Sequence, residues 1–165
     1  MIDIIKVESE PQIRQVANMA YKIWNEYYTP LIGKEQVDYM LSRFQNAKAI
    51  DKQIQEGYHY FLATYDDEPA GYFAITIDET HSSIFLSKLY VDRGFRNRGV
   101  GKTCIAHVEA ISRKLDLDGI WLTVNKGNDE TINIYEKLGF VNMGSIIQDI
   151  GNGFIMDDYR MGKKL

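Results

Sequence analysis

A chain of 165 residues with 45% hydrophobic content is long enough to bury a core and too apolar for general disorder. The 19 basic and 23 acidic residues leave a net charge of −4, which argues against nucleic acid as the principal partner, because backbone-phosphate binding relies on a basic surface. No apolar run approaches the roughly 20 residues of a membrane span and the N-terminus lacks a signal-peptide core, so a soluble, cytoplasmic protein with residues 1–165 in one domain is expected.

Residues Ile2 to Val7 read as an opening strand. Ser9-Glu10-Pro11-Gln12 has the S-x-x-Q form of a capping box, with proline tolerated in the first helical turn. Ile13, Val16, Ala17, Ala20, Ile23, Trp24 and Tyr27 then trace one helical face, which Pro30 and Gly33 interrupt. Val37, Met40, Leu41 and Phe44 recur at helical spacing, and Lys48 to Gln55 can add a turn or two. From Tyr58 the period changes. Tyr58 to Tyr65, Ala70 to Ile77 and Ser82 to Val91 are strand-like, separated by Asp66-Asp67-Glu68-Pro69 and Glu79-Thr80-His81 at hairpin lengths.

Leu89 to Thr103 is the stretch the rest of the chain serves. Strand residues Leu89, Tyr90 and Val91 break into a loop whose 15-residue stretch holds three glycines and three arginines. A helix starts near Gly101, with Cys104, Val108, Ile111 and Leu115 as its apolar stripe. Strand, glycine loop and helix N-terminus form a phosphate-binding arrangement: unpaired N–H groups point outward, the helix dipole favours an anion and glycines admit close approach. The end, Gly101-Lys102-Thr103, imitates a nucleotide-binding P-loop, but Arg96 stands where that motif needs glycine. A dinucleotide fingerprint fails at Cys104. What remains is Arg96-x-x-Gly99-x-Gly101, an R-x-x-G-x-G loop.

Downstream, Gly119 to Asn125 reads as a buried strand, Asp129 to Leu138 as a helix capped by Gly139, and Phe140 to Ile147 and Phe154 to Gly162 as strands joined across Gly151-Asn152-Gly153. That order predicts an α/β (α+β) architecture, a mixed and largely antiparallel sheet of about seven strands flanked by about four helices.

The R-x-x-G-x-G loop, together with Val124-Asn125-x-x-Asn128 running on to Tyr135-Glu136-Lys137-Leu138-Gly139-Phe140, resembles the GNAT superfamily of acyl-CoA-dependent N-acetyltransferases, whose order of elements is also the one read here. Three positions depart from the family pattern: Arg93 for a frequent proline, Asn97 for a glycine and Thr131 for an alanine. Asparagine tolerates the left-handed region, so Asn97 is an acceptable substitute.

The resemblance implies acetyl-CoA as cosubstrate and no metal. Leu89, Tyr90, Val91, Arg96, Asn97, Arg98, Gly99, Val100, Gly101, Lys102 and Thr103 would hold its diphosphate arm, with Asn125, Asn128 and Lys137 along the remainder. It also implies that Tyr135 protonates the departing thiolate, and that the Val91 N–H stabilises the oxyanion. Phenol-to-thiolate transfer is reasonable chemistry, at pKa values of about 10 and 8.5. Without the family, Asn128 is explained as a helix N-cap and Tyr135 as a half-buried helix aromatic. Both readings stay open.

Direct attack by an amine is expected. Cys104, the only thiol, lies on the buried stripe with no histidine positioned to activate it. Many relatives place a glutamate base on the strand before the loop, where this chain has Ile84, Phe85, Leu86, Ser87, Lys88 and Leu89. Glu26, His59, Asp78 and His81 are candidates without motif support, so the base is unassigned. Acidic pairs, Asp157-Asp158 among them, read as solvated turns and strand ends.

The acceptor is expected to be a small-molecule amine, in line with a general similarity to bacterial spermine/spermidine acetyltransferases. Trp24, Tyr27, Tyr28 and Tyr39 with Glu26, Glu35 and Asp38 offer an aromatic, acidic entrance, though packing explains the same residues. A protein N-terminus or lysine acceptor, a noncatalytic acyl-CoA-binding module and a homodimer stay open. No membrane partner is implied.

Overall fold

Strand β1 (Ile2–Lys6) hands over to helix α1 (Glu10–Ile23) through the expected capping box. The Gln12 N–H donates to Ser9 Oγ (3.4 Å) and the Ser9 N–H donates to Gln12 Oε1 (3.0 Å), satisfying two of the helix's orphan donors. In this computed structural model all residues 1–165 are described. α1 turns Ile13, Val16, Met19, Ala20 and Ile23 inward.

Beyond it the structure departs from the simple interruption expected. Trp24–Tyr28 is a π-helical turn, and Pro30 occupies the first turn of the short helix α2 (Thr29–Ile32), where its missing N–H costs nothing. Gly33, at φ +88°, makes the break before α3 (Lys34–Phe44). The extra turn after it is a full helix, α4 (Ala47–Gln55), capped by Asn46. Strands β2 (His59–Tyr65), β3 (Glu68–Asp78) and β4 (Ser83–Val91) follow.

The first hairpin is tighter than predicted. Only Asp66 and Asp67 form the turn, both at positive φ, while Glu68 and Pro69 belong to β3 opposite Tyr65 and Thr64. The register shifts between Ala63 and Thr64, which lets a proline sit inside a sheet.

After a 3-10 turn (Arg93–Phe95) come α5 (Val100–Lys114), β5 (Gly119–Asn125), α6 (Asp129–Lys137), β6 (Val141–Gly151) and β7 (Phe154–Lys164). The seven strands are ordered β1-β2-β3-β4-β5-β7-β6. β4 and β5 are parallel, as a helical crossover requires, and the β1–β2, β2–β3, β5–β7 and β6–β7 pairs are antiparallel. Five helices run for nine residues or more, near the four expected. On the α5 stripe Cys104 and Val108 are buried, but Leu115 lies past the helix end and is 47% exposed. No helix is long and apolar enough to cross a membrane.

The chain divides into two compact units, Met1–Thr76 with Lys88–His107, and Ile77–Ser87 with Val108–Leu165. The core of the first holds Val16, Trp24, Val37, Ile50, Tyr60, Tyr72 and Phe73, with Phe61 and Phe73 stacked at 4.8 Å. That of the second holds Ile84, Ile120, Leu122 and Met161. In the first unit Gly71 lets β3 pass close to the end of β4: a Cβ there would lie 2.6 Å from the Tyr90 carbonyl oxygen. That close approach, with the Asp92 N–H bonded to the Ala70 carbonyl (2.8 Å), fixes where β4 stops and the glycine loop begins.

Candidate active site

In the first unit the loop is built on Asp92. Its buried carboxylate accepts the Gly94 N–H (3.0 Å) and the Lys22 ammonium (3.1 Å), holding the 3-10 turn in place. The same hydrogen bond raises the Lys22 pKa. Asn97 then adopts φ +63°, the left-handed conformation expected of a glycine substitute, and Gly99 adopts φ +82°. A Cβ at Gly99 would meet nothing within 4 Å, so the constraint there is backbone conformation, and the space beside it is open.

Helix α5 begins at once. The Thr103 N–H and hydroxyl both donate to the Gly99 carbonyl (3.0 and 2.8 Å), and helix geometry leaves the N–H groups of Val100, Gly101 and Lys102 without intrahelical acceptors. The Val100 side chain is core, while Arg98 and Lys102 are exposed. Arg96 lies over the Tyr27 ring (4.5 Å) with its Nε bonded to the Val91 carbonyl (3.5 Å), and Arg98 lies over Tyr65 (5.3 Å). Outward N–H groups, open space at Gly99 and three cationic side chains suit a diphosphate.

Behind the loop, Tyr90 joins the rings of Trp24 (5.3 Å), Tyr72 (5.4 Å) and Tyr28 (5.7 Å). Trp24 is 1% exposed, so it is core and not part of an entrance; Tyr27 and Tyr28 are half-buried.

Lys88, three residues before Val91, was legible only as a strand residue; the structure buries it. Its Nζ donates to Gln53 Oε1 (2.7 Å), the Phe44 carbonyl (3.2 Å) and Tyr60 Oη, and Tyr60 in turn donates to Gln53 (2.6 Å). Burial pushes its pKa down to about 7, and burial likewise raises that of Tyr60. Nothing local in the sequence marks this network, because its members come from α3, α4, β2 and β4.

The second unit carries the asparagine–tyrosine segment. Asn125 Oδ1 accepts the Gly127 N–H (2.8 Å), and buried Asn128 caps α6 by accepting the Thr131 N–H (3.3 Å). Both side-chain oxygens are thus turned to the backbone at the start of α6. Tyr135 is 7% exposed with its ring 5.5 Å from Phe140, more deeply placed than the half-buried aromatic expected. Lys137 is exposed in the last turn of α6.

Of the candidate bases, Glu26 is exposed, and His81 is exposed and bonded to Asp78 (2.8 Å), a bond that lowers the Asp78 pKa. Half-buried His59 has its pKa lowered by burial. Burial pushes the Cys104 thiol up to about 12, which removes it as a nucleophile at neutral pH.

One acidic residue contradicts its expected place. Asp158, read from sequence as part of a solvated strand end, is 4% exposed on β7 opposite Asn125. The Thr123 hydroxyl hydrogen-bonds its carboxylate, and Oδ1 has no hydrogen-bond partner. Burial first, and the charge of Asp157 second, push its pKa up to about 6. The strand alternation that puts Asp158 on the face opposite Asp157 was the only signal for it.

The family profile described as the GNAT acetyltransferase family matches residues 17–140, three quarters of the chain and both motif segments. The chain belongs to the GNAT family. It is therefore an acetyl-CoA-dependent N-acetyltransferase. Among relatives of this GNAT enzyme, the peptidyl-lysine N-acetyltransferase YjaB of Salmonella typhimurium is 27% identical over 96 residues, 58% of this chain and 59% of its own. Among solved structures it is similar to the PaiA N-acetyltransferase of Thermoplasma acidophilum in complex with coenzyme A (TM-score 0.79, 20% identity, covering 100% and 99% of the two chains). It is also similar to the spermidine N-acetyltransferase SpeG of Vibrio cholerae, in its N152L form (TM-score 0.70, 19% identity, 99% and 93% covered). At these identities the two structures share the fold with this chain.

Proposed function

We propose that this GNAT enzyme transfers an acetyl group to a primary amine of a small cationic molecule of the polyamine class, by direct attack and without an acyl-enzyme. The observation that carries the cosubstrate part is the loop itself: Asn97 and Gly99 at positive φ, directly ahead of the unpaired N–H groups of α5. Acetyl-CoA supplies an activated acetyl thioester. In this scheme Arg96, Arg98 and Lys102 with the α5 N–H groups bind its diphosphate, Asn125 and Asn128 donate to its amide arm, and Tyr135 holds the proton that the leaving sulfur takes. Lys22 keeps Asp92, and through it the loop, in register. A polyamine acceptor is supported by the acidic balance of the chain, since its densest basic segment is committed to phosphate.

Acetyl-CoA at about 100 times its Kd should stabilise the protein by about 2.7 kcal/mol, and raise Tm by roughly 5–10 °C for a chain of this size. ATP and NAD should give far smaller shifts. Gly99→Val should abolish the shift, because a β-branched residue does not hold φ +82°. An equal shift with ATP would overturn the cosubstrate assignment. With acetyl-CoA fixed, initial rates on spermidine, an aminoglycoside and a peptide with free lysine and N-terminus decide the acceptor. Spermidine should turn over fastest, with a KM that rises with salt. Acetylation of the peptide alone would transfer the assignment to a protein acceptor.

A further inference from the structure

On the acetyl-transfer function proposed above, we propose that Asp158 is the carboxylate that takes the proton from the acceptor ammonium, the base that the strand before the phosphate loop does not provide. Three observations within one unit carry it. Asp158 is the direct cross-strand partner of Asn125, which places the two side chains on the same face within reach of one ligand. Its carboxylate is almost wholly removed from solvent, yet Oδ1 has no hydrogen-bond partner. A buried carboxylate kept only for packing is expected to have both oxygens satisfied; an ammonium arriving at Oδ1 would complete this one.

The surrounding charges do not occupy that position. Lys126 is ion-paired with Asp157 (2.8 Å), and Arg160, on the same face of β7 as Asp158, lies over the Trp121 ring (4.8 Å). The remaining neighbours across the strands, Thr123 and Ile146, carry no charge. With its pKa near 6, the group is mostly ionised at pH 7 and is protonated as pH falls below that value.

The protons balance as follows. The alkylammonium gives one proton to Asp158 Oδ1, and the neutral nitrogen forms a C–N bond to the acetyl carbon as the C–S bond breaks. The leaving sulfur takes the Tyr135 proton, and the second nitrogen proton restores Tyr135 by way of solvent. Asp158 then releases its proton to solvent, so each amide and free thiol formed is accompanied by one proton.

The test compares the wild-type enzyme with Asp158→Asn and Asp158→Glu, using spermidine and acetyl-CoA from pH 5 to 8. The wild type should show an inflection near pH 6, where the slope of log kcat/KM against pH falls by one unit. Asp158→Asn should lose that inflection and about 10²–10⁴-fold in kcat/KM, with calorimetric acetyl-CoA affinity unchanged. Asp158→Glu should keep an inflection at a displaced pH. Asp158→Asn with the wild-type rate and inflection would overturn the assignment of the base while leaving acetyl transfer standing. A folded wild type that binds acetyl-CoA and acetylates no amine would overturn both. If the asparagine variant does not fold, the glutamate variant decides: a displaced inflection supports the assignment, and an unmoved one overturns it.

Discussion

Replacing Tyr135 by phenylalanine is expected to reduce turnover by about 10²–10⁴-fold while leaving acetyl-CoA affinity nearly unchanged. The ring is buried in α6 and packs against Phe140, and phenylalanine retains that packing, so the fold should persist. In the proposed scheme the one O–H removed is needed as the thiolate departs and not before, and the loss of such a group falls on kcat with little effect on binding. Single-turnover thiol release, with acetyl-CoA affinity measured separately, reads the two quantities apart. Unchanged single-turnover rates would return Tyr135 to a packing role.

The second large effect concerns stability and pH. Lys88 holds a pKa near 7 in the folded chain against an ordinary value of 10.5, because its ammonium is buried without a carboxylate beside it. Between those values the unfolded chain carries a proton that the native state does not, so stability should rise with pH, by up to about 1.4 kcal/mol per unit. Below pH 7 both states are protonated and the full cost of burying the charge is present. Cys104 works in the opposite sense at higher pH, its thiol being harder to ionise when folded. The informative quantity is therefore the difference between the wild type and Lys88→Met, followed by chemical denaturation from pH 6 to 8.5. That difference should grow in favour of the wild type by roughly 1–2 kcal/mol over the interval. Methionine also leaves the Phe44 carbonyl and the Tyr60 oxygen without the Lys88 donor, while Gln53 keeps the Tyr60 hydroxyl, which shifts the variant's stability at every pH but not its slope. Parallel curves would mean that Lys88 stays charged in the fold.

Much of the architecture was legible because it is written in short-range terms. The Ser9–Gln12 capping box, the Gly119–Asn125 strand, the Asn128 cap and the turn at Asn152-Gly153 each depend on residues a few positions apart, and each stands where the sequence put it. So does the conformation of the glycine loop, since left-handed backbone at Asn97 and Gly99 and a helix start at Val100 are local conformational choices. The R-x-x-G-x-G spacing and the asparagine–tyrosine segment therefore determined the family and the acetyl donor.

Burial and partnership were decided only in three dimensions. Pro69 entered a strand because a register shift opposite it removed the need for its N–H. Trp24, one of several aromatics suited to an entrance, became core because a π-helical turn set it against Tyr28 and Tyr90. Lys88 and Asp158 were the largest departures. A lysine between strand apolars and an aspartate beside another aspartate look solvated in sequence, since charge is normally left in water. Whether a charge is withdrawn from water depends on which distant segments close over it, and Phe44, Gln53 and Tyr60 for one, Thr123 and Asn125 for the other, meet those side chains only through the sheet and its helices.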